Sequence, residues 1–273
     1  MPELPEVETV RLRLEPVLVG RRFDVVQIFD SRLTRPADPA EVATELTGER
    51  VAAIERRGKY LVLRFESGLL LLIHLRMTGS LRHARNGGFD ELHRRAVVIL
   101  DDGSAVIYRD VRRFGTWLVL RADELDPYLS PRLGADPLQA RFSARRLGER
   151  LAHRRAPVKA ALLDQRTVAG LGNIYADEAL WRARIDPRRP GGDLDERELR
   201  SLHRGIRRAL EAGIDRQGAT LRDYRTPDGS SGRMQHEFKA YGRAGEPCLR
   251  CGTPIEKARV AGRGTWFCPR CQR

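Results

Sequence analysis

All four cysteines of this 273-residue chain fall within its last 26 residues, as Cys248-x2-Cys251 and Cys268-x2-Cys271 with sixteen residues between the pairs. Two CxxC pairs about 15–20 residues apart have the spacing of zinc ligands. Each pair offers two thiolates from one tight turn. Two facing turns complete a tetrahedral S4 site with no open position, so the metal is expected to be structural. The end of the chain should therefore be a small module folded around one Zn2+ held by Cys248, Cys251, Cys268 and Cys271. A redox dithiol or paired disulfides would use the same residues. Disulfides are rare in the cytosol, however, and the opening Met-Pro-Glu-Leu-Pro-Glu does not have the form of a signal peptide. The longest apolar run is Leu69 to Ile73, well short of the ~18 residues of a membrane helix. A cytoplasmic protein is expected.

Upstream of the cysteines the hydrophobic period changes twice. Pro5, acidic Glu6 and Glu8, then Val7, Val10 and Leu14 at helical spacing predict an N-terminal helix closed by Pro16 and Gly20. Short strands follow at Val25–Ile28, Val51–Arg56, Tyr60–Phe65, Leu69–Leu75, Ala96–Leu100, Ala105–Tyr108 and Thr116–Leu120, separated by glycine turns. Such a series suggests a β-sandwich. From about residue 133 the chain turns helical. Two helices are expected over residues 160–184, broken at Ala169-Gly170-Leu171-Gly172-Asn173. An amphipathic helix carries Leu199, Leu202, Ile206 and Leu210. Residues 225–233 (RTPDGSSGR) are a polar, Gly-rich stretch, either a binding loop or a linker to the cysteine module. The expected class is α+β, in three parts. Residues 1–130 are an N-terminal helix plus β-sandwich, residues 131–235 are helical, and residues 236–273 are the cysteine module.

Fifty Lys plus Arg against 37 Asp plus Glu give a net charge of +13 and a pI near 10.4. That is the electrostatic footprint of a nucleic-acid binder, although an arginine-biased proteome would also produce a basic chain. Pro2 follows an initiator Met that is usually removed before a small residue. Removal leaves a secondary amine with a pKa near 8, partly neutral at physiological pH. Such an amine can attack a sugar C1′ to give an iminium, and Glu3 beside it can move protons. Taken alone, Pro2 and Glu3 fit a plain helix start equally well.

The segments PELPEVETV, RRGKY, HLRMTGSL, DVRRFGTW, VAGLGNIYADEALW and the cysteine-bearing tail occur in this order from Pro2 to Gln272. Together they resemble the bacterial formamidopyrimidine-DNA glycosylases, which remove 8-oxoguanine and ring-opened purines. The resemblance implies a monomeric enzyme of base excision repair, acting on damaged double-stranded DNA as glycosylase and lyase by β,δ-elimination. It implies a helix–two-turn–helix motif in the helical part and a zinc ribbon at the end. By matching position, Pro2 would be the Schiff-base nucleophile, Glu3 the proton donor, Lys59 the β-elimination lysine and Arg263 the δ-elimination arginine. Glu6 would help hold the N-terminus. Met77, Arg112 and Phe114 would fill the gap left by an extruded base. His93, Arg113 and Asn173 would contact DNA, and the run His153-Arg154-Arg155 with Lys159 should face phosphates. Leu4-Pro5 and Arg112-Arg113-Phe114-Gly115 favour this purine branch over the related endonuclease VIII branch, which prefers pyrimidines. The stretch at 225–233 matches the family's damage-capping loop least well, which leaves damage preference open. A non-catalytic zinc-containing DNA-binding protein would share the charge, Asn173 and the cysteines.

Overall fold

The computed structural model describes residues 2–85 and 92–273. They form two compact units. The first joins the residues up to Leu129 with Arg216–Arg233, and the second joins Ser130–Asp215 with Met234–Arg273.

In the first unit, helix α1 (Leu4–Leu18) buries Val7, Val10, Leu14 and Leu18, all at most 2% exposed. These positions recur every three to four residues and form one apolar stripe. Pro16 lies inside this helix and does not end it at that point. A proline in the last turn removes one helical hydrogen bond, and the buried Leu14 and Leu18 on either side keep the turn in place. Eight strands follow: β1 (Phe23–Ile28), β2 (Val51–Arg57), β3 (Tyr60–Phe65), β4 (Leu69–His74), β5 (Ser80–Ala84), β6 (Arg94–Leu100), β7 (Ala105–Arg109) and β8 (Thr116–Arg121). A short helix α2 (Pro39–Leu46) lies between β1 and β2. Asp38 caps it by accepting the Ala40 amide at 2.8 Å, and Val42 and Leu46 face inward.

The strands make two antiparallel sheets, in the orders β1-β6-β7-β5 and β2-β3-β4-β8. Alternate residues of both share one core with α1. Val98, Val106 and Tyr108 come from one sheet, and Leu61, Leu63, Leu71, Ile73 and Trp117 from the other. This is a β-sandwich. The chain crosses between sheets twice at one end. Residues 75–79 run from β4 to β5, and residues 110–115 run from β7 to β8. Because β4 pairs with β8 and β5 with β7, with His74 opposite Thr116 and Ser80 opposite Arg109, the crossovers lie side by side.

The second unit begins after the short helix α3 (Leu125–Leu129). It contains α4 (Ala144–Leu151), α5 (Val158–Leu163), α6 (Asn173–Ala183), α7 (Glu196–Asp215) and a hairpin of β9 (Glu256–Val260) and β10 (Arg263–Phe267). Helix α6 is buried along most of its length and packs on α7. A Cβ on Gly205 would stand 2.6 Å from the Ala179 carbonyl oxygen, so glycine sets this close approach. The break between α5 and α6 is built around Gln165. Its amide nitrogen donates to the Leu163 and Leu171 carbonyls, and its carbonyl accepts the Gly170 amide. Gly170 supplies the positive φ of 86° that the turn needs. Among the described residues no helix is long and apolar enough to cross a membrane.

Candidate functional site

The first unit holds the N-terminal residues. Pro2 is buried and Glu3 is 2% exposed. Glu6, one turn into α1, clamps this segment. One carboxylate oxygen accepts the Glu3 amide at 2.9 Å, and the other accepts the Ala219 amide at 2.8 Å. Gly218 precedes Ala219 with φ of 79°, and a Cβ there would lie 2.7 Å from Glu6 Cγ. Arg56 on β2 donates to Glu8 at 2.8 Å, which ties α1 to the β2–β3 hairpin. Lys59 stands in that hairpin's two-residue turn. Gly58 takes φ of 60°, the positive value that the first position of a type II′ turn requires. Lys59 is only 6% exposed and so is not a solvated turn lysine.

His74, at the end of β4, carries no marked signal in the sequence. Its ring meets Tyr60 edge-on at 4.5 Å, and Nδ1 accepts the Arg76 amide at 2.9 Å. Burial, with the nearby charges of Arg76 and Lys59, pushes its pKa down to about 3. The imidazole is therefore neutral at physiological pH.

The two crossovers bring Met77, Arg112 and Phe114 together. Met77 is half-buried and Phe114 is 50% exposed. The Arg112 guanidinium lies 4.7 Å over the Phe114 ring. Met77 and Phe114 line an open cavity of about 580 Å³ with Arg32, Arg35, Arg76 and Arg113. Arg113 makes a bidentate pair with the buried Asp30, at 2.6 and 2.8 Å, which holds the Asp30 carboxyl below its usual range. His93 is half-buried with φ of 67°, and its carbonyl accepts the Asp110 amide. The 225–233 stretch is a hydrogen-bonded loop of the first unit. Thr226 accepts Gly229 and donates to Ser230, and the Pro227 carbonyl accepts the His83 amide of β5.

In the second unit Asn173 begins α6, and its amide donates to the Gly264 carbonyl at 3.0 Å. Among the described residues its buried Oδ1 has no hydrogen-bond partner. Arg263 is exposed beside the β9–β10 turn, where Ala261 and Gly262 take φ of 47° and 77°, as in a type I′ turn. Arg154 is half-buried, 3.5 Å from Asp164. Lys159 does not face phosphates as expected. It is fully buried, 2.7 Å from Asp177, and donates to the Gly264 carbonyl and the Thr265 hydroxyl. A fully buried cation needs such partners. Glu178, also unmarked in the sequence, accepts the Lys239, Ala240 and Tyr241 amides in succession.

The four cysteine sulfurs lie within 4.8 Å of one another. Tetrahedral Zn–S bonds place sulfurs about 3.8 Å apart, and Cys251 and Cys268 are at 3.5 Å. That is far beyond the ~2.05 Å of a disulfide. The set fits one structural zinc ion.

Three family models match the chain. The Formamidopyrimidine-DNA glycosylase N-terminal domain matches residues 1–117, the Formamidopyrimidine-DNA glycosylase H2TH domain residues 133–225, and the zinc finger found in FPG and IleRS residues 245–273. The chain is 46% identical to the formamidopyrimidine-DNA glycosylase of Geobacillus kaustophilus, with all of both chains covered. It is 48% identical to that of Symbiobacterium thermophilum, over all of this chain and 89% of the relative. Among solved structures, a Lactococcus lactis FPG mutant in complex with a Fapy-dG containing DNA matches at TM-score 0.94 and 40% identity over the full length of both. The Lactococcus lactis Fpg with an abasic site containing DNA matches at 0.92 and 39%, over 99% of each. The chain belongs to the formamidopyrimidine-DNA glycosylase family.

Proposed function

We propose that this protein is a DNA glycosylase and abasic-site lyase of base excision repair, which excises oxidised purines from duplex DNA through Pro2. The observation that carries the reading is the clamp on the N-terminus, in which both Glu6 oxygens hold the buried Pro2–Glu3 segment in one position. With Met1 removed, the Pro2 amine attacks C1′ of the damaged nucleotide. The C1′–N9 bond breaks, the base leaves with a proton, and Pro2 remains bonded to C1′ of the closed sugar as an aminal. Glu3 protonates the ring oxygen as the C1′–O4′ bond breaks, which opens the sugar and leaves the iminium between Pro2 and C1′. The iminium acidifies the C2′ proton, and its loss expels the 3′ phosphate from C3′; loss of the C4′ proton then expels the 5′ phosphate from C5′. Lys59 supplies positive charge during the first elimination. The Arg263 guanidinium steadies a departing phosphate.

Met77, Arg112 and Phe114 occupy the space of the extruded base, with Arg112 donating to the orphaned cytosine. His93, Arg113, Arg154 and Asn173 contact the DNA backbone, and the zinc module presents Arg263. The substrate and the four reduced cysteines support action in the cytoplasm, on nucleoid DNA, as a monomer.

Borohydride trapping on a duplex with one 8-oxoguanine opposite cytosine tests this reading. A covalent adduct that maps to Pro2 is expected. Binding without any adduct would leave a non-catalytic DNA-binding protein. Faster cutting of thymine glycol than of 8-oxoguanine would make it a pyrimidine enzyme.

A further inference from the structure

Asp110 is 1% exposed and stands where the crossover from β7 to β8 begins. One of its oxygens accepts the Thr78 hydroxyl at 2.5 Å and the Arg112 amide at 3.2 Å. The other accepts the Phe114 amide at 2.9 Å and the Gly115 amide at 2.8 Å. Thr78 belongs to the other crossover, directly after Met77. Its hydroxyl donates to Asp110 and also accepts the Arg112 amide at 3.0 Å. A single hydroxyl thus joins the loop of Met77 to the loop of Arg112 and Phe114.

Three further features point the same way. The Tyr108 hydroxyl lies beneath both crossovers. A Cβ on Gly115 would come within 1.6 Å of it, and one on Gly79 within 2.5 Å, so both loops rest on the same ring. Arg76 and Arg113, the residues just before Met77 and Phe114, take left-handed φ of 52° and 60°. Non-glycine residues hold that conformation only where their surroundings impose it. Each is anchored, Arg76 through its amide to His74 and Arg113 through its guanidinium to Asp30. Yet Arg112 and Phe114 themselves are exposed and support little of the core. A buried carboxylate with four donors is a large investment for an exposed loop unless the loop's shape matters to something outside it.

We propose that Asp110 and Thr78 are positioning residues that lock the two crossovers together, so that Met77, Arg112 and Phe114 enter the duplex as one preset wedge. The proposal rests on the reading that these three fill the gap left by an extruded base. It assigns extrusion, rather than the sugar chemistry, as the step that depends on Thr78 and Asp110.

The test separates those steps. Single-turnover excision is followed on an 8-oxoguanine duplex with 2-aminopurine beside the lesion, whose fluorescence reports unstacking. Lyase cleavage is followed on the same duplex with an abasic site, which has no base left to extrude. Thr78→Val is expected to slow excision about tenfold more than lyase cleavage, with the 2-aminopurine rise delayed to match. Thr78→Ser, which keeps the hydroxyl, should restore both signals. In a Phe114→Ala background, Thr78→Val should add no more than about a twofold loss, because a lock has nothing to act on once the wedge is gone. Thr78→Ala replaces Thr78→Val if the latter does not fold. Equal losses of excision and lyase cleavage, or fully multiplicative effects of Thr78→Val and Phe114→Ala, would overturn the coupling alone. Undiminished excision in Phe114→Ala, with no fluorescence rise in the unaltered protein, would remove the wedge and the coupling with it.

Discussion

Lys159 and Asp177 are both fully buried, and single substitutions there should be severe. Lys159→Met leaves a carboxylate without its cation in an apolar interior, at a cost of about 3–5 kcal/mol. The double variant Lys159→Met with Asp177→Leu should recover much of that loss. Urea melts of the three proteins measure it, and equal losses in the single and double variants would show that the pair itself contributes stability. His74 should make folding pH-dependent. Its folded pKa of about 3 lies below the ~6.5 of an unfolded histidine. Between those values only the unfolded chain takes up the proton, so this contribution is complete above about pH 6.5 and shrinks as the pH falls toward 3. His74→Gln should flatten the fall in the urea midpoint between pH 6.5 and 4, and an unchanged slope would mean that other groups dominate. At Pro2 the expectation is kinetic. Pro2→Gly should keep most DNA binding and lose most excision in single-turnover assays, whereas normal excision would refute the nucleophile.

Elements were legible in proportion to their length and periodicity. The stripe Val7, Val10 and Leu14 marks α1 in the sequence, and short runs punctuated by glycine turns mark the strands of the sandwich. Helix α2 and strand β5 were missed because eight and five residues hold too little of either period. The Asp38-Pro39 start, a cap followed by a first-turn proline, was a readable signal for α2. The cysteine spacing gave the zinc module outright. The site was less legible wherever it depends on partners distant in sequence. Lys159 reads as one more surface cation because Asp177 is eighteen residues away. Asp110, His74 and Glu178 look ordinary until the fold surrounds them. The tip of the zinc module offers an element-scale prediction. Removing the metal with a chelator should unfold the β9–β10 hairpin and weaken DNA binding, read as lost protection from hydrogen exchange at residues 256–267. Unchanged protection would mean that the hairpin stands without its metal.

For the whole molecule, a net charge of +13 should make DNA binding steeply dependent on salt. Each phosphate contact contributes about −0.9 to the slope of log K against log salt, so six contacts would cost about a thousandfold between 50 and 200 mM. Fluorescence anisotropy on an undamaged duplex measures this, and a flat response would count against a broad phosphate-binding surface. The order of the chain has another consequence. The second partner of Glu6 is the amide of Ala219, more than two hundred residues downstream. At a synthesis rate of about 5–20 residues per second, that residue leaves the ribosome roughly ten to forty seconds after the N-terminus does. During that interval the Glu6 clamp lacks its Ala219 half. On the proposed role of Pro2, that interval is the time in which the initiator Met is to be removed before the late segment reaches Glu6.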